Sequence, residues 1–359
     1  MNSLDRVQVA CRHEPADRVP VGPFAGFYAA RLTGVSLRQY VTDGQTIADA
    51  QIALHRATGQ DIVVTAADTY YLAEGFGLEV EFHENELPTA KSPLLAELSG
   101  VDRLRVPNPC RDGRMPVYLK AVEALSRVLG DRVAIRGTGT GPFSIAAYLY
   151  GAQRFLMTLA QIEMGEAPAV DERRIHELLA IAAESSAAFL KAQLEAGAHL
   201  IYLGDSLAST DMISPAMYRK YAQPYHRRIF AELNGPCRER GAFTLLHVCG
   251  NNTPILDDLA ATGVDVLEID HKMDLGLCKQ RIGRQTCLIG NLDPTQTILR
   301  GTPDDVRRAS RRCLDQAGRG GGFILGTGCF VPWNSPLDNL RAMVETAEAH
   351  AGLIQEKTR

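Results

Sequence analysis

Eight short β-branched or apolar runs, separated by stretches of helical periodicity, constrain the fold of this chain more than any other feature. The runs are Arg18–Phe24, Asp61–Ala66, Val133–Thr138, His199–Asp205, Phe243–Cys249, Val264–Asp270, Thr286–Asp293 and Gly322–Gly328. Between them, apolar residues recur at three- and four-residue steps in Thr46–Thr58, Pro116–Leu129, Glu172–Glu195, Pro215–Arg238, Asn252–Thr262, Pro303–Ala317 and Pro336–Gln355, the spacing of a helix with one buried face. Ser214, Thr302 and Ser335 each precede a proline, which predicts helix starts there. Eight strands alternating with helices predict a (β/α)8 TIM barrel; a doubly wound open sheet is the alternative. Asp68, Asp205, His247, Cys249, Glu268, Asn291, Asp293 and Cys329 crowd the C-terminal ends of the runs. A barrel gathers those ends on one face, where its active sites sit, whereas an open sheet would string them along a line. The reading is a single domain over residues 1–359, with the irregular, proline-bearing segment 75–114 forming an excursion over the barrel mouth or a small subdomain.

The chain carries a formal charge of −4 and no long Lys/Arg run, so no nucleic-acid partner is expected. No apolar stretch approaches the length of a membrane span, and Met1–Arg12 lacks a signal-peptide apolar core, which leads to the expectation of a cytoplasmic protein. Of the 8 cysteines, Cys11, Cys110, Cys237, Cys278, Cys287 and Cys313 are scattered without paired spacing and read as structural or incidental thiols.

His247, Cys249 and Cys329 read differently. Residues two apart on a strand face one side, so His247 and Cys249 can meet one ion with Val248 turned away. Cys329 completes the set if the fifth and eighth strands end at one rim. One imidazole and two thiolates with an exchangeable fourth position suit catalytic zinc. Glu268, one strand over, is the expected fourth ligand; its alternative is a carboxylate that holds His247 or a helix N-terminus. Zinc can generate hydroxide or activate a bound thiol. Two thiolates weaken it as a Lewis acid, so the set leans towards alkyl transfer to sulfur.

Several motifs resemble the uroporphyrinogen decarboxylase superfamily. They are Arg12-x-x-Pro15-x-Asp17-Arg18-Val19-Pro20-Val21, Asp205-Ser206 with Ile213-Ser214-Pro215-x-x-Tyr218 and Pro224-Tyr225, Gly290-Asn291-Leu292-Asp293-Pro294, and Gly326-x-Gly328-x-x-x-Pro332-x-x-x-Pro336-x-x-Asn339. The resemblance implies the barrel. Within it, His247-x-Cys249 with the distant Cys329 is similar to the zinc-dependent, corrinoid-linked methyltransferase branch, including methylcobamide:coenzyme M methyltransferases. Glu268 matches, in order, the glutamate of the cobalamin-independent methionine synthase barrel. The decarboxylases' arginine-rich stretch after the first strand is missing here, and Thr327 stands where their final motif has histidine. The resemblance therefore implies a zinc methyltransferase that moves a methyl group between a small thiol or methylated compound and the cobalt of a corrinoid, which a separate protein carries. The alternatives are a decarboxylase-type lyase and a non-catalytic corrinoid- or tetrapyrrole-binding homologue.

Supporting residues follow from position. Asp205 is expected to orient substrate or accept a proton, or else to cap the next helix. Asn291 and Asp293 line the pocket, or their run simply makes a turn. Gly139 and Gly141, in Gly137-x-Gly139-x-Gly141-Pro142, let backbone amides approach an anionic part of the cofactor, or serve a tight turn. Phe143, Tyr148 and Tyr150 face a macrocycle or belong to the core.

Overall fold

A computed structural model describes residues 1–66 and 68–357. Seven parallel strands pair in chain order: β1 (Ile62–Val64), β2 (Ala134–Arg136), β3 (Leu200–Gly204), β4 (Phe243–His247), β5 (Val266–Glu268), β6 (Cys287–Leu292) and β7 (Phe323–Thr327). The expected first strand is not a regular one. Only Val21 forms a parallel bridge, to Leu325. Pro20 and Pro23 have no N–H to give a ladder, and the Val21 amide goes to the Asp61 carboxylate at 2.8 Å. The segment still fills the eighth position. Gly22 N donates to Leu325 O at 2.8 Å on one side, and Asp61 N donates to Val21 O at 2.7 Å on the other. The sheet thereby curls closed into the barrel.

The period of two along each strand sorts side chains into two layers. Ile62, Val64, Ala134, Leu200, Tyr202, Leu245, Val266, Cys287, Ile289 and Ile324 share one buried cluster with Val7, Ala10 and Cys11 of the helix Ser3–Cys11. That cluster is the barrel lumen. Their neighbours Val63, Ile135, Ile201, Leu246, Leu267 and Leu288 pack outward against the helices. Arg136, His247 and Glu268 continue the lumen-facing phase of β2, β4 and β5. Three polar side chains thus enter an otherwise apolar interior at its upper end.

The helices follow their local signals. Thr302 makes a capping box with Asp305 for Pro303–Ala317, and Ser214 accepts from Met217 N at the start of Pro215–Tyr221. The expected helix Pro215–Arg238 is two helices, broken at Ala222 before Gln223–Glu239. Pro224 supplies no N–H in the first turn of the second. Ser335 makes no cap: the last helix starts at Leu337, and the Ser335 hydroxyl is buried without a partner. Leu275–Ile282 is a helix the periodicity did not indicate. In segment 75–114, Val80–Glu81 pairs with Thr89–Ala90 and a 3-10 helix spans Leu98–Arg103. Arg114 ties its end to the barrel through both oxygens of Asp68, at 2.7 and 2.9 Å. Among the described residues, no helix is long and apolar enough to cross a membrane.

Candidate metal centre

The ligand atoms of His247, Cys249 and Cys329 lie within 4.8 Å of one another. His247 ends β4 in the lumen phase, and Cys249 follows on the same side, while Val248 is buried outward. Gly250 then turns the chain at φ 91°, where an added Cβ would lie 2.5 Å from an Asp211 oxygen. Asn252 holds this loop by donating to Val248 O and Cys249 O at 2.8 and 2.9 Å. Cys329 arrives from β7. The Thr327 hydroxyl donates to Cys329 O at 2.7 Å and accepts from Phe24 N at 3.0 Å. Gly328 packs so closely on the loop after β5 that a Cβ would sit 2.2 Å from His271 N. A side chain there would push Cys329 off the rim.

His247 Nε2 is 3.1 Å from Cys249 Sγ; its Nδ1 is 3.3 Å from the Glu268 backbone carbonyl, its hydrogen-bond partner, and equally 3.3 Å from a Glu268 carboxylate oxygen. A carbonyl oxygen only accepts, so the proton of a neutral ring sits on Nδ1 and the Nε2 lone pair faces the sulfurs. Cys249 Sγ is also 3.2 Å from Ser206 Oγ. Burial pushes the imidazole down, but Cys249 and Glu268 outweigh it and raise His247 to about 9. The neighbouring Cys329 sulfur, with His247, holds the Cys249 thiol well below the usual thiol range, while Cys249 and burial push that of Cys329 up.

Tetrahedral zinc with bonds of about 2.0–2.3 Å needs ligand atoms roughly 3.5 Å apart. The donor set and its spacing fit that ion after small shifts. Glu268, the expected fourth ligand, stands elsewhere. Arg136 donates to its two oxygens at 2.6 and 2.8 Å, and both side chains are fully buried. Reading the sequence for metal ligands missed Arg136, although its phase with Ala134 pointed it into the lumen.

A small cavity opens beside the cluster, lined by Phe24, Phe330, Tyr71, Tyr202, Thr138, Gly139, Thr140, Ser206, His247, Cys249 and Cys329, among others. It gives the centre of a water-sized sphere about 40 Å³. That is room for a few water-sized groups.

The structure scatters the other predicted residues. Asp205 lies fully buried behind the site. It accepts from Phe143 N and Ser144 N at 3.1 and 2.8 Å and lies 2.9 Å from His226 Nε2. It thus caps Pro142–Tyr150, the helix after β2, rather than the helix that follows it. Asn291 donates to Asp270 O and Met273 O, stapling the loop after β5. Asp293 caps Pro294–Leu299 through Thr295 N and Gln296 N. Gly139 borders the cavity, with Tyr202 O 2.5 Å from where its Cβ would be; a Cβ on Gly141 would overlap Asp205. The Gly137 and Gly141 amides donate to Leu200 O and Gly204 O, so the glycines serve close packing. Phe143 and Tyr150 are core, and Tyr148 pairs its hydroxyl with Thr69.

The fold and site place this chain in a defined class. The uroporphyrinogen decarboxylase (URO-D) family pattern matches residues 2–350, and the chain belongs to that family. It is 31% identical over 351 residues to the methylcobamide:CoM methyltransferase MtbA of Methanosarcina mazei, covering 96% of this chain and 97% of that one. It is also 29% identical to the uroporphyrinogen decarboxylase of Carboxydothermus hydrogenoformans, over 97% of each chain. A solved methyltransferase from Methanosarcina mazei superposes with a TM-score of 0.85 at 26% identity, covering 98% of this chain and 99% of that one.

Proposed function

We propose that this chain is a zinc-dependent methyltransferase that moves a methyl group between a small substrate and the cobalt of a corrinoid. A separate protein presents that corrinoid over the barrel mouth. One observation carries the reading: an imidazole and two sulfurs, far apart in sequence, converge beside a small cavity. A relative of nearly equal length is named a methylcobamide:CoM methyltransferase. Zinc at His247, Cys249 and Cys329 supplies Lewis acidity that keeps a thiol deprotonated near neutral pH.

The chain's own groups prepare that chemistry. The Glu268 main-chain carbonyl, with the Glu268 carboxylate beside it, fixes the tautomer that turns the Nε2 lone pair of His247 towards the sulfurs. Ser206 supports the Cys249 thiolate. Phe24, Phe330 and Tyr202 wall the cavity and exclude bulk water, which strengthens the electrostatic interactions inside. The size of the cavity favours a simple thiol or a methyl attached to a small heteroatom group. Among the described residues no Lys or Arg lines it, which disfavours the multiply charged carboxylates of a tetrapyrrole.

The test is zinc-loaded protein with methylcobalamin and a panel of small thiols, methoxy-aromatics, methylamines, halomethanes and alcohols. The expected result is a metal-dependent change in the cobalamin absorption with at least one of them. Equal transfer by metal-stripped protein, or decarboxylation of a tetrapyrrole instead, would overturn the reading.

A further inference from the structure

Glu268 is an ionisable carboxylate beside a His/Cys/Cys set, and carboxylate oxygen is a competent zinc ligand. The structure shows what holds it back. Arg136 extends from β2 and Glu268 from β5, three strands away, so their two-point contact crosses the barrel lumen. The guanidinium packs against two rings, 3.8 Å from the centre of Phe24 and 4.2 Å from that of Tyr202, which meet each other edge to face. Phe24 in turn stacks on Phe330 at 3.7 Å, next to Cys329, and meets the His247 ring edge-on at 6.4 Å. The Arg136 Nε has no hydrogen-bond partner. Its pose is therefore set by the carboxylate and the two rings.

We propose that Arg136 is a positioning residue of the metal centre: by gripping both oxygens of Glu268, it holds that carboxylate on the Nδ1 side of His247 and keeps the fourth position around the metal open for substrate. This rests on the metal reading above and concerns what shapes the centre. Lysine cannot replace it, because an ammonium offers neither the planar fork nor the ring stack.

Cobalt(II) in place of zinc makes the site visible, since its ligand-field and sulfur-to-metal bands report coordination. 2-Mercaptoethanol is the thiol probe. In the wild type it should shift those bands as it takes the open position. In R136M the cobalt should remain bound, with a spectrum altered before thiol is added and a thiol affinity lower by about tenfold or more. The double variant R136M/E268Q removes the competing carboxylate and should restore thiol binding, a rescue that mere loss of packing would not show. Should R136M fail to fold, R136K keeps the charge and is expected to show the same change at smaller size. An unchanged spectrum and thiol affinity in R136M or, should R136M not fold, in R136K overturns the inference, as does a defect that the added E268Q does not relieve. A wild type that takes up no cobalt overturns the functional reading and this inference together.

Discussion

At the scale of single residues, buried side chains in one small volume have separate roles that substitution can separate. Cys249→Ala or Cys329→Ala removes a sulfur donor, so zinc retained through gel filtration should be lost while the circular dichroism stays native. Asp205→Ala should do the reverse. It strips two helix amides and His226 of their acceptor, at a cost of about 3–5 kcal/mol. Urea unfolding measures that loss, and the folded fraction should still hold zinc. Impaired zinc binding with unchanged stability in Asp205→Ala would contradict this placement. The His-Cys-Cys set was legible in the sequence because soft ligands at strand ends have few other reasons to gather there. The place of Glu268 was not, because its order along the chain matches a ligand while its partner, Arg136, lies 132 residues away.

At the scale of elements, two tight approaches set the rim. Gly328→Ala would force a Cβ against the backbone of His271, where nothing flexible can yield. We expect a loss of roughly 1–3 kcal/mol together with weaker zinc binding, because Cys329 moves with the loop. Calorimetry and metal titration of the same sample check both. The other end of the barrel carries a pH-sensitive contact. Hydrogen bonding from Arg6 holds the Asp17 carboxyl down to about 2. A depressed carboxylate contributes stability above its unfolded value near 4, and that stability is lost as the pH falls towards 2. Asp17 is partly exposed, so the contribution is small, on the order of 1 kcal/mol or less. Asp17→Asn should flatten the acid limb of the stability curve between about pH 4 and pH 2. Strand order and the main helices were legible because period-two and helical spacing are local. The first strand was over-read, since Pro20 and Pro23 interrupt a run whose apolar residues look continuous. The helix Leu275–Ile282 was under-read because its apolar stripe is short and interrupted by Lys279, Gln280 and Arg281.

At the scale of the whole molecule, the barrel concentrates its chemistry at one end. The apolar lumen below and the aromatic wall above place His247, Cys249 and Cys329 together at the barrel mouth. His247, Cys249 and Cys329 sit outside the hydrophobic clusters that hold the barrel together, so chelator-treated protein should remain folded. Added zinc should raise the melting temperature in a concentration-dependent way, as any ligand selective for the native state does.

X-ray absorption at the zinc edge tests the central claim most directly. The account predicts a shell of two sulfurs near 2.3 Å and one imidazole nitrogen near 2.0–2.1 Å, with a further light atom that an added thiol replaces by a third sulfur. A shell without sulfur, or a purified protein that can hold no zinc at all, would contradict it.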